Sequence, residues 1–237
     1  MISSIPIIYA IGDVHGQLDT LRALADQIAA HHRFRHPDTP GLIIQLGDMI
    51  DRGPRSAEVL RFCKDGFPLP SLTLKGNHEA LMLRALDEGT GGEAWQVWLG
   101  NGGEETCASF GVDPVGGKPS DLEKAIGGEL LTWLRDLPLT HKAGPYLFVH
   151  AGIRPGVPLP EQSDHDLLWI RERFLGSDAD HGMTVVHGHT PTDEPVQRAN
   201  RIGVDTGAGW GRKLTAVKLA SDEVPEFFAV PVVGRFA

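Results

Sequence analysis

Three apolar segments near the start of the chain each end in glycine followed by a polar residue of a type that binds metals. They are Ile5–Ile11, followed by GDVHG at 12–16; Leu42–Leu46, followed by GDMIDRG at 47–53; and Leu69–Leu74, followed by GNHE at 76–79. Segments with helical spacing of apolar residues lie between and after them, at Leu18–Ala30, Ser56–Cys63 and Glu79–Leu86. This strand–helix alternation predicts βαβ units and a parallel sheet.

The rest of the chain has a different rhythm. Helical patterns occur at Glu93–Leu99, Glu104–Phe110 and Leu122–Leu134, and we interpret about 90–138 as a helical insertion within a single domain that spans residues 1–237. The tail is rich in strand patterns, at Tyr146–His150, Thr184–His187, Arg201–Asp205, Leu214–Lys218 and Phe227–Val233, interrupted by a helix around Asp166–Phe174. The fold class is therefore α/β or α+β.

The polar residues after the strands form a chemically coherent set. In an open parallel sheet, ligands bind beyond the carboxyl ends of the strands. We therefore expect five side chains to converge in one crevice: Asp13, His15, Asp48, Asn77 and His78. Two later strand ends add HAG at 150–152 and GHT at 188–190. Carboxylate, amide and imidazole donors together suit two ions of the Mn, Fe or Zn type, and one carboxylate can bridge them when they lie about 3.5–4 Å apart.

Two neighbours of these residues suit phosphate chemistry. Arg52 follows Asp51 directly, and an arginine fork matches two phosphate oxygens at once. His78 stands beside Asn77, where it could protonate a leaving oxygen.

Composition narrows the possible partners. The 22 Lys and Arg against 31 Asp and Glu give a net charge of -9, which disfavours nucleic-acid binding. No apolar run reaches the length of a membrane span, so we expect no membrane association. Cys63 and Cys107 are too few for a disulfide scaffold, and the apolar start Met1–Ile11 has no basic residue or cleavage site of a signal peptide. We therefore expect a cytoplasmic protein, of an oligomeric state that the sequence does not indicate.

Other residues have a simpler interpretation. The polar segment His31–Gly41 is predicted to be a loop in which His31, His32 and His36 are solvated. Trp95 and Trp98 are predicted to pack inside the insertion. Glu79 is expected to be a capping or orienting residue and not a metal ligand.

The motifs resemble those of the metallophosphatases of the phosphoprotein phosphatase (PPP) type, in their bacterial and bacteriophage branch. The resemblance covers about residues 7–219 and rests on GDVHG, GDMIDRG, GNHE, HAG and GHT, with support from Trp169–Arg173 and Val204–Ala208. It implies the calcineurin-like metallophosphoesterase fold, a central β-sandwich flanked by helices.

The resemblance also implies a role for each matching residue. Asp13, His15 and Asp48 would hold the first metal; Asp48, Asn77, His150 and His189 would hold the second, with Asp48 bridging. His78 would be the general acid, tuned by Asp51. Arg52 and Arg171 would clamp the phosphate, with Arg173 as the rival of Arg171, and His187 would be a supporting or packing residue. The cofactor would be two divalent ions, with manganese expected ahead of iron or zinc.

The implied activity is hydrolysis of a phosphomonoester by direct attack of a hydroxide that bridges the metals. The substrate would be a phosphorylated protein, with serine or threonine phosphate expected ahead of tyrosine phosphate, or a small phosphoester. The alternative is a symmetrical bis(5'-nucleosyl)-tetraphosphate hydrolase. In those enzymes the second motif usually lacks the aspartate before arginine and the third tends to end in aspartate, so Asp51 and Glu79 favour the phosphoprotein branch. A non-catalytic module is disfavoured because every expected ligand is present.

Overall fold

The computed structural model describes residues 6–89, 92–221 and 223–233. The strands in these ranges are β1 (Ile7–Ile11), β2 (Gly41–Gln45), β3 (Ser71–Thr73), β4 (Thr140–Ala143), β5 (Tyr146–Val149), β6 (Thr184–His187), β7 (Val196–Gln197), β8 (Arg201–Gly203), β9 (Lys213–Leu219) and β10 (Glu226–Pro231). The α-helices are α1 (Leu18–Arg35), α2 (Ser56–Asp65), α3 (Asn77–Glu88), α4 (Glu93–Trp98), α5 (Glu104–Ser109), α6 (Pro119–Ile126), α7 (Gly128–Asp136), α8 (Asp164–Trp169) and α9 (Glu172–Leu175). The segment Leu99–Gly103 joins α4 to α5 with a kink at Gly102, whose φ of 102° is not helical.

The strands form two five-stranded sheets, in the orders β10-β9-β1-β2-β3 and β4-β5-β6-β8-β7. In the first, β1, β2 and β3 are parallel and in register, so their carboxyl ends meet at one edge. In the second, β5, β6 and β8 are parallel in the same manner. Each sheet thus contributes three strand ends, which is the arrangement that a shared site needs.

The predicted parallel sheet is only part of the first sheet. β9 pairs with β1 in the antiparallel direction, and β10 pairs antiparallel with β9. The connection between β9 and β10 is short, and a short connection permits antiparallel pairing but not the crossover that a parallel pair needs. The predicted start of the first strand at Ile5 lies outside the described residues.

The core has layers that follow the alternation of side chains along the strands. Ile8 and Ala10 of β1 face Phe148 and Val186 of the other sheet in one buried cluster, whereas Tyr9 points to the opposite face, toward the helices. A third cluster lies between the outer face of the second sheet and helices α8 and α9. The predicted β-sandwich flanked by helices is therefore confirmed.

The first helix is longer than the sequence predicted. The expected loop from His31 begins instead as the last turn of α1, which ends at Arg35 because Pro37 disfavours helical backbone at the residue before it. The predicted solvation of this histidine group is wrong for His32, which is buried with its Nε2 3.0 Å from the carbonyl oxygen of Thr39.

Two predicted helices are each divided. The pattern Leu122–Leu134 is split into α6 and α7 at Gly127, whose φ of 83° lies in the left-handed region that glycine favours. The pattern Asp166–Phe174 is split into α8 and α9, which leaves Arg171 between the two helices. Apolar spacing continued across both breaks, so it could not reveal them.

The inter-sheet core gives a direct test of the fold. Phe148 is fully buried between the sheets, whereas Phe34 on α1 is 82% exposed. We expect Phe148→Ala to lower the free energy of unfolding in urea by about 3–5 kcal/mol through loss of packing and a residual cavity. The matched change Phe34→Ala should alter it by less than about 0.5 kcal/mol. Equal effects of the two substitutions would contradict the assigned inter-sheet core.

Candidate metal centre

The loops that carry the predicted site are conformationally strained. Among the described residues, those other than glycine with positive φ are His15 (47°), Asp48 (54°), Asp51 (71°), Arg52 (67°) and His189 (65°). All five are predicted site residues. Left-handed backbone costs about 1–3 kcal/mol for such residues and persists where the surrounding structure enforces it, which happens mainly at functional sites.

Asp48 lies at the centre of the site. Its Oδ1 is 3.4 Å from Nε2 of His150, and its Oδ2 is 3.7 Å from Nε2 of His15 and 3.9 Å from Nε2 of His78. Burial alone would raise the pKa of Asp48, but His150, His78 and His15 together hold that pKa well below its usual value. The carboxylate is therefore an anion at neutral pH with nitrogen donors on both sides.

Asp48 belongs to two groups of side chains that could each hold a cation. One group is His15, Asp48 and His78, and the other is Asp48, His150 and His189. Shared membership is what a bridging carboxylate requires. The first group contains His78 in the place that the resemblance gives to Asp13.

Asn77 joins the second group. Its Oδ1 lies 2.8 Å from Nε2 of His150 and 2.8 Å from Nδ1 of His189. The other ring nitrogen of His150 donates to the carbonyl oxygen of Leu46, 2.9 Å away, so its Nε2 directs a lone pair toward the Asn77 oxygen. The Asn77 oxygen and the two ring nitrogens therefore lie close enough together to be ligands of a common cation.

The tautomers of the histidines also suit a metal. Nδ1 of His15 donates to the carbonyl oxygen of Ile50 at 2.8 Å, so Nε2 carries the lone pair, which in this structure faces Nη1 of Arg52 at 2.7 Å. Nε2 of His189 is buried without a hydrogen-bond partner. Burial lowers the pKa of His189 to about 3 and also lowers the pKa of His15 well below its usual value, so both rings are neutral at pH 7. Neutral imidazoles with carboxylate and amide oxygens fit divalent transition ions.

Asp13 faces an aspartate that the sequence interpretation did not include in the site. Its carboxylate accepts a hydrogen bond from the backbone N–H of His189 at 3.0 Å. Burial, together with the charges of Asp205 and Asp48, raises the pKa of Asp13 well above its usual value, and burial raises the pKa of Asp205 to about 6. Asp205 follows the end of β8, so the strand-end rule that selected the other residues could have found it.

His78 and Asp51 form a buried pair. Nδ1 of His78 donates to Oδ2 of Asp51 at 2.6 Å, and this directs Nε2 of the ring into the site. Burial would lower the pKa of His78, but the negative charges of Asp48 and Asp51 outweigh it and raise that pKa. This direction favours the protonated ring, and the charge of Arg52 acts against it.

Arg52 presents its guanidinium to the same space. Nη1 lies 2.7 Å from Nε2 of His15, and Nη2 lies 2.9 Å from Nε2 of His78. The guanidinium carbon is 4.7 Å from the centre of the Trp210 ring, a cation–π distance that fixes the fork. Its N–H groups consequently point to the region between the metal-binding side chains.

Glu79 holds the Asp48 loop from behind. Its buried carboxylate accepts hydrogen bonds from the backbone N–H groups of Asp48 (2.9 Å), Met49 (2.8 Å) and Gly76 (2.9 Å). Burial raises the pKa of Glu79 to about 7. The carboxylate points into the loop and not into the site, as expected for an orienting residue.

Two further residues that sequence reasoning did not select reach Asp51. Nε1 of Trp98 lies 3.0 Å from Oδ2 of Asp51, and Oγ1 of Thr106 lies 2.7 Å from Oδ1. Trp98 is fully buried, as expected, but its indole N–H also has a polar partner inside the site. Both residues come from the helical segment after α3, where no motif signalled them.

The remaining arginines and His187 lie further out. Burial is the main cause that lowers the pKa of His150 and of His189, and the charge of the exposed Arg171 adds a smaller effect in the same direction; no such effect of Arg173 is seen in the described residues. The ring of His187 packs edge-on against Phe174, 5.2 Å between centres, on the outer face of its sheet.

The site has the sequence and fold of a known family. A model of the calcineurin-like phosphoesterase family matches residues 7–220. The chain is 29% identical to serine/threonine-protein phosphatase 2 of Escherichia coli (strain K12) over 228 residues, covering 90% of this chain and 92% of that protein. It is 33% identical to the symmetrical bis(5'-nucleosyl)-tetraphosphatase of Aromatoleum aromaticum over 297 aligned positions, covering 97% and 99%.

Solved structures share the fold at low identity. A crystal structure of a protein named only provisionally as a diadenosine tetraphosphatase superposes with a TM-score of 0.69 at 18% identity, covering 99% of this chain and 97% of that one. The cold-active protein-tyrosine phosphatase of a psychrophilic Shewanella gives 0.60 at 18%, covering 94% and 80%. Since the family model extends from the first strand to the end of β9 and includes every residue of the candidate centre, the chain belongs to the calcineurin-like phosphoesterase family and is a metal-dependent phosphoester hydrolase.

Proposed function

We propose that this hydrolase is a protein phosphatase that removes phosphate from serine and threonine side chains. The observation that carries the proposal is the buried hydrogen bond between Asp51 and His78, 2.6 Å long, with the Arg52 guanidinium beside it. Serine and threonine leave as alkoxides, which are strongly basic, so their departure needs a proton donor. A histidine whose pKa is raised by two carboxylates meets that need.

In this proposal two divalent ions occupy the centre. Asp13, His15 and Asp48 would hold one, and Asp48 would hold the other together with Asn77, His150 and His189. When bound, such ions lower the pKa of a water molecule and neutralise charge on the phosphoryl oxygens. The mixed donor set supports manganese, with iron or zinc as the alternatives.

The side chains of the protein divide the remaining work. Arg52 binds phosphate oxygens through its two Nη groups, and Arg171 approaches the same group from the side of His150 and His189. His78 gives its Nε2 proton to the departing alkoxide, while its Nδ1–H stays bonded to Asp51. This division leaves the charge that develops on the phosphoryl group surrounded by fixed cationic donors.

The cysteines support a mechanism without a phosphorylated protein intermediate. Cys63 and Cys107 are both buried, and burial raises the pKa of Cys63 well above its usual value and that of Cys107 to about 12. Neither thiol is ionised at neutral pH, so neither is an effective nucleophile.

The tetraphosphatase activity is the second candidate, and the relative from Aromatoleum aromaticum supports it. Its leaving group would be a nucleoside diphosphate, which departs as a stable anion and gains little from a proton donor. The Asp51–His78 pair is therefore the feature that favours a monoester substrate.

We also propose that the chain is one domain in which the helices after α3 are an insertion, and that the enzyme acts in the cytoplasm. None of the helices in the described residues has both the length and the apolar composition to cross a bilayer.

A substrate panel with added manganese tests this proposal. We expect a phosphoserine or phosphothreonine peptide to be hydrolysed with a higher kcat/KM than diadenosine tetraphosphate under identical conditions. Release of inorganic phosphate and chromatography of nucleotides measure the two reactions. A clear preference for the dinucleotide, with two nucleoside diphosphates as products, would reject the protein phosphatase in favour of the alternative.

The role of His78 has a separate test. We expect His78→Asn to slow hydrolysis of an alkyl phosphate by about 10²–10⁴-fold, the usual contribution of a general acid, and to slow an activated aryl phosphate much less. His165→Asn, on an exposed residue outside the site, is the control and should change neither rate. Equal losses on both substrates would show that His78 does not act as the proton donor.

A further inference from the structure

We propose that Trp98 and Thr106 are positioning residues for His78 and act on it through the carboxylate of Asp51. This inference rests on the proposed function, because it assumes that His78 delivers a proton. It assigns a role to the segment Trp98–Thr106, which lies outside every sequence motif.

The carboxylate of Asp51 is fully buried and has a donor at each oxygen. Oδ2 accepts from Nδ1 of His78 at 2.6 Å and from Nε1 of Trp98 at 3.0 Å, and Oδ1 accepts from Oγ1 of Thr106 at 2.7 Å. With these three donors in place the carboxylate has one orientation, and the His78 ring that is bonded to it has one orientation as well. Without them it could rotate within its pocket.

The same segment holds the strained backbone beside the carboxylate. The N–H of Asp51 donates to Oγ1 of Thr106 at 2.9 Å, and the N–H of Arg52 donates to the carbonyl oxygen of Gly102 at 3.0 Å. Asp51 and Arg52 have φ values of 71° and 67°. Thr106 therefore contacts Asp51 at both its backbone and its side chain, and Ser56 of α2 is a second acceptor for the N–H of Asp51, at 3.1 Å.

Close packing explains why the kink between α4 and α5 contains glycines. Gly102 has a φ of 102°, and a Cβ at this position would lie 2.8 Å from Cγ of Arg52. A Cβ on Gly103 would lie 2.6 Å from the ring of Trp98. Only glycines let this kink approach Arg52 and the indole so closely.

The loss of one donor should have a chemical signature. A hydrogen bond to a charged group is worth about a tenfold change in rate if it is lost only in the transition state. An effect on His78 should appear when the leaving group needs a proton and should vanish when it does not. General loosening of the fold or loss of metal would instead slow all substrates alike.

The test compares Trp98→Phe with Trp95→Phe. Both indoles are buried on α4 with ring centres 5.1 Å apart, but no hydrogen bond from Trp95 to Asp51 is found. We expect Trp98→Phe to lower kcat on a phosphoserine peptide about tenfold and kcat on an activated aryl phosphate less than about twofold. Trp95→Phe should leave the ratio of the two rates unchanged. A uniform loss on both substrates from Trp98→Phe, or the same ratio change from Trp95→Phe, would overturn the proposal.

Thr106 gives an independent pair of variants. Thr106→Val removes the hydroxyl with little change of shape, and Thr106→Ser keeps it. We expect the valine variant to show the same selective loss on the peptide and the serine variant to restore the ratio of rates. A serine variant as impaired as the valine variant would contradict a role for the hydroxyl.

His78→Asn in the same assays separates the two levels of the argument. If His78→Asn shows no dependence on the leaving group, the proposed function fails. If it shows that dependence and the Trp98 and Thr106 variants do not, only the positioning role fails. The metal-free protein offers a readout without turnover: the proton NMR signal of the His78 Nδ1–H should lie far downfield, and should shift in Trp98→Phe but not in Trp95→Phe. An unshifted signal would contradict the contact.

Discussion

The whole site depends on one buried carboxylate, that of Asp48, lying where the carboxyl ends of two sets of parallel strands meet. It has His15 and His78 on one side and His150 on the other, all within 4 Å. Burying an isolated carboxylate here would cost free energy, and the surrounding histidine nitrogens and a bound cation would offset that cost. The β-sandwich brings those strand ends together.

Rigid surroundings keep the carboxylate in place. Its residue has a left-handed backbone, and the N–H group at that position is bound by Glu79 from the next strand end. The same pattern recurs at Asp51, where Thr106 binds both the backbone and the side chain. Asp48 and Asp51 are thus each held by a buried side chain from another part of the chain, and the two buried cores on either side of the first sheet supply the stability that permits the strain.

The sequence predicted the strand ends well because glycine and a polar ligand after an apolar segment is a local signal. It therefore selected Asp13, Asp48, Asn77, His150 and His189 as candidate ligands, of which the structure brings Asp48, Asn77, His150 and His189 together. Arg171 was supplied by the resemblance. Asp205 was not selected, although it also follows the end of a strand. Trp98 and Thr106 could not be found, because their contacts with Asp51 depend on how the helical segment folds back onto the loop, and no spacing in the sequence records that.

The predictions of secondary structure and strand pairing were incomplete at places where contacts between distant residues decide the outcome. The last turn of α1 contains polar residues that resemble a loop, yet His32 is buried by contacts with Thr39 and with the neighbourhood of Tyr9. The antiparallel pairing of β9 with β1 could not be predicted, because the two strands are far apart in the sequence and no local pattern records which strands pair. The direction of β10 against β9, in contrast, follows from the short connection between them.

Anomalous diffraction from a crystal grown with manganese, recorded at the manganese absorption edge, tests the central claim most directly. The account predicts two peaks about 3.5–4 Å apart with the carboxylate of Asp48 between them. A single peak, or two peaks neither of which touches Asp48, would contradict it.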